Sequence, residues 1–386
     1  MAVLAHQLFL RVGNQVCGTA SFLCKAPSQG LKMSTKENSS KPEYNTPLPV
    51  NKMIRAGGIA SFMRLPIQDG TKGLDACFVG VPLDIGTSNR SGTRFGPRQI
   101  RCESVLLRPC NPATGAKPFE SLNVADVGDI GFNTFNLPEA CQSIRNAYVK
   151  LIGKGCVPLS LGGDHTITYP ILQAIKSRHG PVGLIHVDAH DDVSDTILGA
   201  KINHGTPFRR ALEEELIDPT AVYQIGLRGS SYAPDPNAWQ KEKIKEWYSS
   251  FRQGQTSVES KAWSGRPATS RNEKFNANVR RIIMEDYRVT INGILEEGFR
   301  VVTAEECWYK SLAPMMEEVR KRMGNKPVYL SFDIDGIDPG FCPGTGTPEI
   351  GGLTPPQALE IIRGCRGLNL VGCDLVEVSA TFQVYA

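Results

Sequence analysis

The sequence predicts a three-layer α/β/α domain with a mainly parallel central sheet. Seven apolar runs recur between Asp75 and Val378: "DACFVGVPL", "GCVPLSLGG", "VGLIHVDAH", "AVYQIGLRG", "FRVVTAEE", "PVYLSFDID" and "NLVGCDLVEV". They are continuous rather than alternating, as strands buried on both faces are, and helical-looking stretches separate them. Polar groups then gather just past the runs: "GGDH", "DAHDD", "DID" and Glu377. Open α/β sheets place their ligand sites there, beyond the carboxyl ends of the strands.

From the amino end, residues 1–36 contain Arg11, Lys25, Lys32 and Lys36 but no acid, and "LAHQLFLRV" mixes apolar residues with a basic one. That composition predicts a mitochondrial transit peptide and a matrix protein, since a secretory signal needs a longer uninterrupted apolar stretch. Residues 37–56 are polar and proline-containing and read as a linker, with the folded domain running from 57 to 386. Within it, residues 237–297 turn rich in Lys, Glu, Ser, Arg and Asn and break the strand–helix rhythm. This segment reads as a surface insertion, in which "VRRIIMEDYRVTINGILEE" suits an amphipathic helix.

Composition excludes several classes. A formal charge of +4 over 386 residues provides no basic face for nucleic acid or an anionic membrane. No apolar run reaches the roughly 18 residues that a membrane span needs. The 11 cysteines form no CxxC pair, which suits a reducing compartment. "GTGTPEIGG" lacks the spacing and the preceding strand of a dinucleotide loop.

The chemistry lies in the acids and histidines. If "VDAHDD" is extended, Asp188, His190 and Asp192 share one face, while Ala189 and Asp191 point away. Asp333 and Asp335 share a face at the end of "SFDID" in the same way, and His165 adds a second imidazole. Singly, each has a plainer reading: a core histidine, a capping turn, or, for His204 in "HGTP", a loop. Together they offer two imidazoles and four carboxylates at three strand ends. So many carboxylates in one place would repel one another unless cations lie between them. A pair of divalent metals removes that cost, and an oxygen-rich set without thiolate favours Mn²⁺, with Zn²⁺, Co²⁺ and Ni²⁺ as competitors. Such a pair implies hydrolysis.

"GGDHTITYP", "VDAHDD", "HGTPFRR" and "SFDIDGIDPGFCPGTGTPEIGGLTP" resemble the signatures of the ureohydrolases, the manganese enzymes that include arginase, agmatinase and guanidino acid hydrolases. "GTSNRSGTRFGPRQIR" and "IGLRGSS" narrow the resemblance to the agmatinase branch, and the match runs from about Lys52 to Ser379 apart from the insertion. The resemblance implies an arginase-like fold, two Mn²⁺ per subunit and a homo-oligomer, trimer or hexamer. One Mn²⁺ would take His165, Asp188, Asp192 and Asp333, and the other His190, Asp188, Asp333 and Asp335. It further implies that a metal-bridging hydroxide attacks a small guanidino substrate to give urea and an amine. Asp192 would pass a proton, His204 would shuttle one, and Glu377 would pair with the guanidinium. The substrate is agmatine, giving putrescine, or a guanidino acid, giving an amino acid; Arg90, Arg94, Arg209 and Arg210 are candidates to meet a carboxylate tail.

Two departures from the family pattern stand out. Residue 191 is Asp where Thr is usual, and after "LVEVS" the chain ends in "ATFQVYA" instead of a proline-containing loop and a final helix. Loss of that helix would uncover one face of the last strands. Hence the alternative reading, a catalytically weak or inactive homologue acting as a binding or oligomer-modulating subunit. A zinc deacetylase would need a single metal with a tyrosine or histidine pair, which the ligand set disfavours.

Overall fold

The computed structural model describes residues 44–112, 115–153, 155–229 and 299–379. The transit segment, the insertion and the tail after Ser379 lie outside the described residues. Among the described residues eight strands form one sheet: β1 (Ala76–Gly80), β2 (Val124–Asp129), β3 (Val157–Leu161), β4 (Val182–Val187), β5 (Ile217–Leu227), β6 (Phe299–Thr303), β7 (Pro327–Asp333) and β8 (Asn369–Val376). Their order is β2-β1-β3-β8-β7-β4-β5-β6, and every pairing is parallel. The last strand in sequence therefore sits in the middle, between β3 and β7.

Helices α1 (Gly96–Ser104), α2 (Leu137–Ile152), α3 (Thr168–His179), α4 (Pro207–Glu213), α5 (Ala313–Met323) and α6 (Pro355–Gly364) cover both faces. On one face Phe78, Leu159, Ile185, Phe332 and Leu375 pack with Ile100 of α1, Met316 and Val319 of α5 and Ile361 of α6. On the other, Val79, Leu184, Val222, Tyr329 and Val376 pack with Ile144 of α2, Ile171 of α3 and Phe208 of α4. This is the three-layer arrangement expected from continuous apolar runs. Local signals start the helices. Asn136 accepts from the Glu139 amide at the head of α2, and Thr354 with Gln357 forms a capping box ahead of α6. Gly372 has a packing reason: a Cβ there would stand 2.9 Å from the Tyr329 ring.

Two expectations need correction. β2 was not among the seven predicted runs. "VADVGD" carries two acids and a glycine because it is a sheet edge, buried at its start and exposed at its end. Uncovering of the last strands is not seen among the described residues, since β8 is buried from Leu370 to Val376. The amino-terminal residues 44–56 contain no helix or strand, but Leu48 exchanges hydrogen bonds with Arg64 and Asn45 reaches Asn123.

Candidate metal centre

The polar groups converge beyond the carboxyl ends of β3, β8, β7 and β4, which are neighbours at the centre of the sheet. His165 opens a 3-10 turn after β3, capped by Asp164, which accepts from the Thr166 amide. The His165 ring is buried, and its Nδ1 lies 2.8 Å from Asp192, 3.1 Å from Asp188 and 3.2 Å from Asp333, each to Oδ2. Nδ1 nevertheless makes no hydrogen bond of acceptable geometry. His190 places its Nδ1 3.1 Å from Asp335 Oδ2 and 3.5 Å from Asp188 Oδ1. Donor atoms thus cluster twice, around His165, Asp188 and Asp192 and around Asp188, His190 and Asp335, and Asp188 belongs to both groups. Asp333 reaches the first through His165.

The predicted ligand residues lie close together, but not along an extended strand. β4 ends at Val187, so residues 188–192 form a loop rather than an extended strand. Asp188 Oδ1 accepts from the His190 amide at 2.6 Å, and Asp192 takes φ +52°, a left-handed conformation that costs energy in a non-glycine residue. Asp333 likewise ends β7 and caps the next turn by accepting from the Asp335 amide at 2.8 Å. The capping turn and the ligand cluster are the same structure. Asp191 turns away from the cluster, accepting from the Val193 amide.

Without a cation the cluster is electrostatically tense. Burial, then Asp335 and Asp188, holds the Asp333 carboxyl well above the usual range, and burial with Asp188 raises Asp335. Burial would also raise Asp188, but His186, His165 and His190 drive it well below. Burial opposes charging of His165 and His190, yet the surrounding aspartates raise both. Such opposed shifts are what a site built for positive charge shows when only protons can supply it.

His204 and Glu377 stand beside this cluster. Glu377 follows β8 at φ +59°, is buried, and accepts from the His165 amide through Oε1 at 2.9 Å. His204 Nδ1 is 3.6 Å from that oxygen, and its Nε2 is 2.7 Å from Ser88 Oγ. Burial lowers the His204 pKa, but Glu377 outweighs it and raises the value to about 9. Of the four arginines, Arg94 pairs with Asp84, Arg209 with Glu213, and Arg210 with Asp195 and Glu213; Arg90 is exposed near Ser88.

Sequence reasoning missed a row of polar residues one step below the cluster. Ser160, Asp374, Ser331, His186 and Gln224 lie side by side on β3, β8, β7, β4 and β5, paired in register. All five are buried. A signal was available: His186, Asp188 and His190 extend the same period-two series backwards, and an aspartate inside an apolar run, as Asp374 is, asks for a partner. Missed too was Arg228, whose guanidinium donates to the carbonyls of Gly226, Asp335, Gly336, Glu349 and Ile350, bracing the Asp335 turn against β5.

Fold and site together define a parallel α/β protein with a buried aspartate–histidine cluster of the kind that holds metal. The arginase family profile matches residues 74–262 and 255–385. The chain is 54% identical over 341 residues to "Agmatinase, mitochondrial" of Gallus gallus, covering 88% of this chain and 84% of that protein. It is 49% identical over 362 residues to "Guanidino acid hydrolase, mitochondrial" of Homo sapiens, covering 93% and 87%. The solved structure of proclavaminate amidino hydrolase from Streptomyces clavuligerus superposes with a TM-score of 0.66 at 34% identity, covering 85% of this chain and 91% of that one. The chain belongs to the arginase family.

Proposed function

We propose that this chain hydrolyses the guanidino group of a small substrate, agmatine or a guanidino acid, to urea and an amine, at a centre of two Mn²⁺ ions. Arginase-family membership with agmatinase and guanidino acid hydrolase relatives makes it a hydrolase of guanidino C–N bonds. The observation that carries the rest is the buried His165 Nδ1, which faces three carboxylate oxygens within 3.2 Å without a hydrogen bond. A nitrogen lone pair and carboxylates so close together repel one another, and a cation between them would relieve that repulsion.

In this reading His165, Asp188, Asp192 and Asp333 would hold one cation, and His190, Asp188, Asp333 and Asp335 would hold the other. When bound, the pair supplies Lewis acidity and a nucleophilic water near neutral pH. The chain's own groups then orient substrate and move protons. Glu377 Oε2 is buried without a hydrogen bond, and a Cβ on Gly346 would come within 3.2 Å of it. The glycine leaves that oxygen open to a guanidinium edge, which suits a carboxylate acceptor. Asp192 passes a proton to the departing nitrogen. His204, protonated at neutral pH by its closeness to Glu377, serves the outgoing amine. Arg94, Arg209 and Arg210 each hold an ion pair with an aspartate or glutamate side chain.

The test is urea release by the Mn²⁺-loaded full chain from agmatine, 4-guanidinobutyrate and arginine in parallel, with Asp188→Asn as control. Metal-dependent urea from one of them, lost in the control, is expected and identifies the tail. Soluble, metal-loaded protein that releases urea from none would overturn the reading. A mitochondrial matrix location, suggested by the acid-free amino terminus and the relatives' names, is tested by imaging a fluorescent fusion with and without residues 1–36. A trimer or hexamer is the expected assembly, checked by light scattering.

A further inference from the structure

We propose that Asp374 is a positioning residue of the metal centre: acting through Ser331, it decides which ring nitrogen of His165 is bare and turns that nitrogen toward the carboxylate cluster. This rests on the two-cation reading above and adds to it a part that touches neither metal nor substrate.

Asp374 is fully buried, and its Oδ2 accepts from Thr168 Oγ1 at 2.7 Å and from the Tyr329 hydroxyl at 2.8 Å. Its Oδ1 accepts from Ser331 Oγ at 2.7 Å. A serine hydroxyl has one hydrogen, and here it goes to Asp374. The 2.8 Å contact between Ser331 Oγ and His165 Nε2 must then run the other way, with the imidazole N–H as donor. A neutral imidazole carrying its hydrogen on Nε2 has a bare Nδ1, and Nδ1 is the atom that faces Asp188, Asp192 and Asp333. Without Asp374, the Ser331 hydroxyl is free to donate to Nε2. His165 would then carry its hydrogen on Nδ1 and donate it to the carboxylates, where it competes with a cation.

The neighbouring strands carry the same logic independently. The Asp191 carbonyl can only accept, so the Gln224 atom 2.7 Å from it is the amide nitrogen. That nitrogen also donates to His186 Nδ1 at 3.0 Å, which leaves the His186 hydrogen on Nε2, donated to Asp188 Oδ2 at 2.7 Å. His186 is therefore a support for Asp188 rather than a further ligand. In both chains the polar row fixes the direction of a hydrogen bond that ends on a ligand. A buried carboxylate held only by neutral hydroxyls is costly relative to an apolar side chain. The role of Asp374 thus lies in the direction it imposes.

The test is calorimetric titration of Mn²⁺ into chelator-stripped full chain, with thermal unfolding as a check on folding. Ser331→Ala and Asp374→Asn are each expected to weaken Mn²⁺ binding about 10- to 100-fold. Ser331→Thr, which restores a hydroxyl, and Tyr329→Phe, which removes a donor to Asp374 outside the relay, are expected to bind nearly as wild type does. The Ser331→Ala/Asp374→Asn double variant is expected to lose no more than the worse single one, because both changes break one relay. Wild-type affinity in Ser331→Ala, or losses that add in the double variant, would overturn the proposal. If Asp374→Asn does not fold, Ser331→Ala against Ser331→Thr decides the question alone. Absence of Mn²⁺ binding by the wild type is a different outcome: it would remove the two-cation reading itself, and the proposal with it.

Discussion

The two faces of the central sheet are built from the same five strands and do different work. Facing α1, α5 and α6, strands β3, β8, β7, β4 and β5 present Leu159, Leu375, Phe332, Ile185 and Tyr223 to a continuous apolar core. Facing α2, α3 and α4, the same strands present Ser160, Asp374, Ser331, His186 and Gln224. The first face holds the domain together through burial. The second also packs apolar residues, Leu184, Val222, Tyr329 and Val376 among them, but a polar row interrupts them, and from it Ser331 meets His165 and His186 meets Asp188. Adjacent residues such as Ile185 and His186, or Ser331 and Phe332, thus separate stability from site geometry at a distance of one peptide unit.

That separation can be broken or sharpened by mutation. The largest effect is expected from Phe332→Ala, which should cost about 3–5 kcal/mol in denaturant unfolding of the metal-free protein, because it opens a cavity in the apolar face. Whatever fraction remains folded should bind Mn²⁺ normally; a parallel loss of affinity would show that the faces are coupled. Next is Glu377→Gln, read by NMR titration of His204 in the metal-free protein. Glu377 raises His204 to about 9 against a burial effect of opposite sign, so the variant's midpoint should fall toward or below the ordinary 6.5. The sign for stability follows from the raised value: the His204–Glu377 contribution is fully present below about pH 6.5 and is lost as pH rises through about 9. In the variant, that pH-dependent loss between 6.5 and 9 should disappear from unfolding curves.

A smaller effect is expected from Gln224→Met, which releases His186 and so loosens Asp188. Mn²⁺ affinity should fall about tenfold, while stability changes by less than about 1 kcal/mol, since the amide already leaves its buried Oε1 without a partner. Calorimetry and unfolding on the same sample check both halves. The smallest is Ile185→Val, one residue from His186 on the opposite face. A cost of about 0.5–1.5 kcal/mol in unfolding with unchanged Mn²⁺ affinity is expected.

Much of this was legible in the sequence, for physical reasons that also mark where reading stopped. Strands buried on both faces announce themselves as apolar runs, so the central strands were found and the edge strand β2, half in water, was not. Ligand-type residues after those runs located the site, and Asp188, His190, Asp192, Asp333, Asp335 and His165 do come together. Period-two spacing could not show that residues 188–192 leave the strand, because the turn depends on an aspartate accepting a backbone amide and on a positive φ at Asp192. Nor could it show the polar row, since its members lie on five strands drawn from residues 160 to 374 and are related only through sheet register.

The position of β8 has a consequence for how the protein is made. It is the last strand in sequence among the described residues, yet it alone joins the trio β2-β1-β3 to the quartet β7-β4-β5-β6. A ribosome releasing this chain exposes two half-sheets, each with an unpaired parallel edge, at β3 and β7, until residues near Val376 have emerged. Open edges of that kind invite pairing with other chains. Covering of those two edges thus waits for the last described strand.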